Sequence, residues 1–163
     1  MKYIVVFLIS MVPIIELRGS IPFGLSPAMG GSLDLVPLYI TAIIGNMLPV
    51  PLIYFFARKI LTWGSNYNWP KWLKWLGSFF KWMYNKGDRA GKKITDKTGQ
   101  SVYIALMLFV GIPLPGTGAW TGTFAASILD LDFKKSSIFI MLGVILAGII
   151  MGLASAGLFS LVF

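Results

Sequence analysis

Glu16 and Arg18 are opposite charges two residues apart at the end of an otherwise apolar stretch. A charge inside hydrocarbon is expensive, so each needs a partner or a polar cavity. Arg18 presents a planar fork of donors suited to a phosphate or a carboxylate. Glu16, partly desolvated, can take up and release a proton. Gly19 and Pro22 complete this motif, which runs Ile15-Glu16-Leu17-Arg18-Gly19-Ser20-Ile21-Pro22. The structural alternative is a mutual ion pair that closes a turn, or two side chains snorkelling to the surface.

A second constellation is uncharged: Gly111, Pro113, Pro115, Gly116, Thr117, Gly118, Trp120 and Thr121. Its resources are exposed backbone amides, two hydroxyls and an indole N–H. A short helix beginning after Gly118 would aim its positive dipole end into the site and favour an anion. The alternative is that Gly and Pro only permit a tight turn. A third candidate is Asn46, followed by Pro49 and Pro51: an amide in hydrocarbon needs partners, through packing or by lining a pathway. These residues form the candidate substrate-binding set. The chain has no His and no Cys and only six acidic residues. That excludes imidazole-based metal sites, His bases and thiolate chemistry. No metal, cofactor or catalytic constellation is expected, so the chemistry points to binding or transport rather than to an enzyme.

The elements that must hold these residues are apolar. Of 163 residues, 56% are hydrophobic and 12% charged, and the mean hydropathy is +0.78. A soluble domain carries about twice that charged fraction. The N-terminus superficially resembles a signal peptide. Glu16 and Arg18 interrupt its apolar region and no small-residue cleavage site follows, so it reads as retained structure. The net charge of +8 has one location: residues 58–99 hold ten Lys or Arg against two Asp. Short basic loops stay in the cytoplasm, which places this segment there. Its position between membrane segments argues against a nucleic-acid partner.

Four apolar blocks follow. Residues 37–57 and 137–163 are long enough to cross a hydrocarbon core of about 30 Å. Residues 3–30 and 101–129 each contain a shorter apolar run and then a Pro/Gly-rich break. The first break is expected at Glu16–Pro22 and the second at Pro113–Gly118. Irregular backbone at membrane depth must be buried in protein or line a polar cavity, so each block reads as a re-entrant hairpin. The rival topology makes each hairpin two tilted spans. The fold class is thus an all-α integral membrane protein. It is an inverted repeat of re-entrant hairpin plus transmembrane helix, with the ligand near the midplane. In the linker, Lys71, Lys74, Ser78, Lys81 and Asn85 share a helical face, and five of six Trp lie between 63 and 82. This predicts an amphipathic interfacial helix drawn to anionic lipid. Small residues from Gly143 to Gly157 form a packing face in the last span, suited to contacts within the chain or to a homodimer.

The motifs Ile15–Pro22 and Gly111–Gly122 resemble those of the putative small multi-drug export protein family, and the length and linker fit as well. That family is similar in plan to the DedA membrane proteins, which have facing re-entrant hairpins and are implicated in lipid movement. The resemblance implies a prokaryotic plasma-membrane protein that moves a phosphorylated, undecaprenyl-phosphate-like lipid, with proton coupling through Glu16. One departure stands out: DedA-type proteins carry Arg in the second hairpin, whereas the Ile112-Pro113 region here has none, leaving Arg18 to supply the cation. The alternatives are export of cationic amphiphiles, with Glu16 and aromatic side chains as the site, and a membrane assembly factor.

Overall fold

A computed structural model describes residues 1–13, 15–26, 33–68, 70–78, 81, 82, 85, 100–114 and 116–162, with side chains of the last helix through 155. Among the described residues every regular element is helical: α1 Lys2–Met11, α2 Glu16–Leu25, α3 Leu35–Met47, α4 Pro49–Asn66, α5 Ser101–Gly111, α6 Ala119–Ile128 and α7 Phe133–Val162. Arms α1, α2, α5 and α6 have 10 or 11 residues. Each is about 15 Å long, half of a hydrocarbon core.

Two prolines set where the short arms stop. Val12 and Ile112 are both extended, and both precede a proline. The ring of the following proline clashes with the backbone of a helical predecessor and drives it out of the α region. The first break therefore falls at Val12–Ile15, earlier than the expected Glu16–Pro22. Glu16 opens α2 rather than interrupting it, and Pro22 sits inside that helix. There it removes one N–H, which leaves the Arg18 carbonyl without its helical donor.

The helices α3 and α4 run almost continuously through Leu48, which keeps helical geometry. Together they give a 32-residue apolar stretch, Leu35–Asn66, that reaches past Arg58 and Lys59. It and Phe133–Ser155 are long and apolar enough to cross a membrane. Many large apolar side chains point outward, among them Leu52, Val36 and Leu153 at 69%, 68% and 71% exposure. A soluble surface would not carry so many.

The core gathers Val6, Leu17, Ile21, Leu38, Val110, Ile140 and Val144 from five helices. The helix α1 packs on α2 and α3, and α5 packs on α7; α2 also touches α7, and α6 touches α4 and α7. Buried hydroxyls tie these helices through backbone oxygens. Tyr39 donates to the Gly148 carbonyl at 2.8 Å, Ser127 to the Tyr54 carbonyl at 2.8 Å, and Tyr54 to the Leu131 carbonyl. Gly143 packs against the Met107 carbonyl and Val110, and Gly148 and Gly152 against Tyr39. These glycines of the last span are thus occupied within the chain; Ala156 and Gly157 lie beyond its described side chains.

The ends of the hairpins sit against opposite ends of α3–α4. After α2, the Leu33 N–H bonds the Gly24 carbonyl at 3.2 Å, just before α3 begins. After α6, Asp130 pairs with Arg58 of α4 at 2.5 Å. The Asp132 N–H meets the Tyr103 hydroxyl at 3.1 Å, so α6 ends beside the start of α5. In the linker, a 3-10 turn at Lys71–Leu73 leads into helical residues 74–78. The remainder of the expected interfacial helix, including Phe79, Phe80 and Met83, and the rest of the linker to residue 99 lie outside the described residues apart from 81, 82 and 85.

Candidate functional site

The two breaks meet. The Glu16 carboxylate, 5% exposed, accepts the backbone N–H of Ala119 at 3.2 Å and of Trp120 at 3.0 Å. These are the first amides of α6, which have no partner within their own helix. The N-cap position of α6 is Gly118, which has no side chain to cap them. Glu16 supplies the cap from about a hundred residues upstream, placing a negative charge on the positive end of the helix. The backbone at Gly118, with φ 151 and ψ −174, lies in a region open essentially to glycine alone. A Cβ there would also collide with the Glu16 carboxylate.

Arg18 does the converse for α5. Its guanidinium donates to the carbonyls of Val110 at 3.3 Å and Ile112 at 3.1 Å, to the Leu114 carbonyl, and to Thr117 Oγ1 at 2.7 Å. These oxygens cluster where α5 ends and its carbonyls lose their helical donors, a position that favours a cation. The two charged side chains therefore bind the second hairpin rather than each other, one at each dipole end of its break. Glu16 itself has φ 47, a left-handed conformation that costs a non-glycine residue about 1 kcal/mol or more. Placing both side chains on the second hairpin compensates for that strain.

Beside this junction lies a cavity of about 470 Å³. Its walls are Ile53, Phe56, Ala57 and Ile60 of α4, the turn at Gly116 and Thr117, and Trp120, Thr121 and Phe124 of α6, with Pro13 and Glu16 at the first break. Among the described residues, the Glu16 carboxylate is the charged group of this lining. Trp120 Nε1 is buried without a hydrogen-bond partner.

Of the sequence-derived candidates, Glu16, Gly116, Thr117, Trp120 and Thr121 line the cavity. Arg18 and Gly118 stand behind it, holding its wall. Gly19 packs under Ile15, and Gly111 against Leu146 of α7. Pro22 lies in α2, and Pro113 follows the end of α5. Asn46 is 2% exposed in α3, its Oδ1 lacks a partner, and it does not reach the cavity. Pro115 lies outside the described residues. Sequence reasoning overlooked the α4 wall, yet Ile53, Phe56, Ala57 and Ile60 recur at one-face helical spacing. That stripe was legible as a face, but not as the face toward a cavity.

A family model covers residues 16–150, beginning at Glu16, just after the first break, and taking in α2, the second break, the linker and most of α7. The chain belongs to the family described as putative small multi-drug export protein. Membership in this export family, together with two helices long and apolar enough to cross a membrane and the apolar exterior, makes it a membrane protein of transport character. The match begins at the residue that caps α6, so the family region contains the contacts that Glu16 and Arg18 make with the second break. Neither the curated proteins nor the solved structures contain a match to the chain.

Proposed function

We propose that the protein exports amphiphilic cations through the cavity beside the two breaks. The observation that carries this reading is the Glu16 carboxylate, the one charged group among the described lining residues, in a lining that is mostly apolar and aromatic apart from Thr117 and Thr121. The volume of about 470 Å³ falls within the range of small-molecule sites, roughly 300–1,000 Å³. Phe56, Trp120 and Phe124 offer ring faces to a cation or to its apolar body. The carboxylate has about four lone-pair positions, of which the Ala119 and Trp120 amides take two. A proton and a cation compete for the rest, which supplies proton-for-cation exchange.

In this reading the two hairpins are re-entrant and enter from opposite faces of the membrane, with their tips in contact. The ends of the hairpins lie against opposite ends of α3–α4, and the basic linker faces the cytoplasm of a prokaryotic plasma membrane. A DedA-like phospholipid substrate would need Arg18 and the α6 amides for its headgroup. Arg18 is already bonded to four oxygens, and Glu16 fills the amides.

Equilibrium binding to purified protein in nanodiscs tests the sign of the ligand. Tetraphenylphosphonium should bind, and binding should weaken as the medium is acidified. Glu16→Gln keeps a carbonyl acceptor for one amide but loses the charge. It should weaken cation binding about tenfold, the worth of a charge-assisted contact, and leave a neutral aromatic ligand unaffected. Binding of a polyprenyl phosphate without binding of the cation would overturn the proposal in favour of lipid transport.

A further inference from the structure

We infer that the pocket between the end of α4 and the start of the linker is a binding site for the phosphate headgroup of an anionic lipid. This pocket, about 280 Å³, is separate from the export cavity and shares no lining residue with it. Tyr67 and Asn68 close it from the end of α4, and Lys74, Gly77, Ser78 and Lys81 from the linker. Among the described residues, no acidic side chain lines it. Lys74, Ser78 and Lys81 follow one another at helical steps of four and three, so both ammonium groups project from one face. Gly77 between them contributes no side chain and leaves the space open. The Ser78 hydroxyl donates to the Lys74 carbonyl at 3.1 Å, so the two ammonium groups and the Asn68 amide carry the recognition.

Its surroundings fix the depth. The pocket lies past the last residue of the long apolar stretch, Asn66. Trp72, Trp75 and Trp82 flank it at 77%, 67% and 56% exposure. Exposed indoles at the end of a membrane span belong at headgroup level, with the ring in the acyl boundary and the N–H in water. A concave pocket with two lysines at that depth, and no acid among its described lining residues, matches the basic pockets that hold phosphate headgroups.

Tryptophan quenching by brominated lipid tests this, because five of the six Trp lie between residues 63 and 82. In vesicles of phosphatidylcholine, brominated phosphatidylglycerol should quench more than brominated phosphatidylcholine at equal mole fraction. The Lys74→Gln/Lys81→Gln variant should lose about tenfold of that preference, given the attraction of each lysine to an anionic surface. Lys92→Gln/Lys93→Gln removes the same charge elsewhere in the linker and should retain it. Equal loss in both variants means diffuse attraction and overturns the site, as does an unchanged preference in the first. Loss of the preference on adding millimolar inorganic phosphate would also overturn it, by identifying free phosphate as the ligand.

Discussion

The Glu16 carboxylate does for α6 what a Ser or Asp cap ordinarily does from the neighbouring position, and Gly118 makes room for it. Gly118→Ala forces a Cβ into both a glycine-only backbone region and the Glu16 carboxylate. It should destabilise the protein by about 2–4 kcal/mol. Gly116→Ala is the control: Gly116 has φ 81 but nothing within 4 Å of an added Cβ. The expected cost there is only about 1 kcal/mol. Thermal unfolding of the two variants in one detergent compares them; equal shifts would mean that Glu16 does not crowd Gly118. Arg18→Lys is a further residue-scale test. Lysine keeps the charge but has no planar fork to reach oxygens from Val110 to Thr117. The variant should lose about 1–3 kcal/mol, seen as the same kind of thermal shift.

At the scale of elements, α1 and α5 end where a β-branched residue meets a proline, and the long helices meet where glycine replaces bulk. The α3–α7 contact is the most testable. A Cβ at Gly152 would fall on the Tyr39 hydroxyl, which itself bonds the Gly148 carbonyl. Gly152→Ala should therefore destabilise by about 1–3 kcal/mol. Tyr39→Phe alone should cost about 0.5–1.5 kcal/mol, one hydrogen bond. In the double variant the clash is relieved, so its cost should fall short of the sum by more than about 0.5 kcal/mol. Strict additivity would place Gly152 elsewhere than against Tyr39.

At the scale of the molecule, the arrangement turns on two hairpins whose tips meet and whose ends part. The chain lacks cysteine, so single-cysteine variants report topology directly. Cysteines at Lys2 and Ser101, the first residues of α1 and α5, should be labelled by a membrane-impermeant maleimide from opposite sides of sealed vesicles. Labelling from the same side would sink the opposed-hairpin topology while leaving the contacts between the breaks intact.

The ends of the short arms were largely legible in sequence because proline acts on its immediate neighbour, and local sterics need no tertiary partner. The first break was still misplaced by a few residues. Glu16 and Arg18 look like breakers of an apolar run, yet charges stay in a helix when something across the fold receives them. The sequence alone determined the all-helical apolar character, the location of the net charge, and the presence of two charged groups that needed partners. Only the tertiary structure decided what those partners are. Glu16 takes the amide end of α6 and Arg18 the carbonyl end of α5, about a hundred residues away. Periodicity reports which face of a helix is apolar, but not which distant helix end will lie against it. For the same reason the helix dipole offered in sequence to a ligand proved to be held by the chain's own carboxylate, and a cavity lined in part by that carboxylate formed beside it.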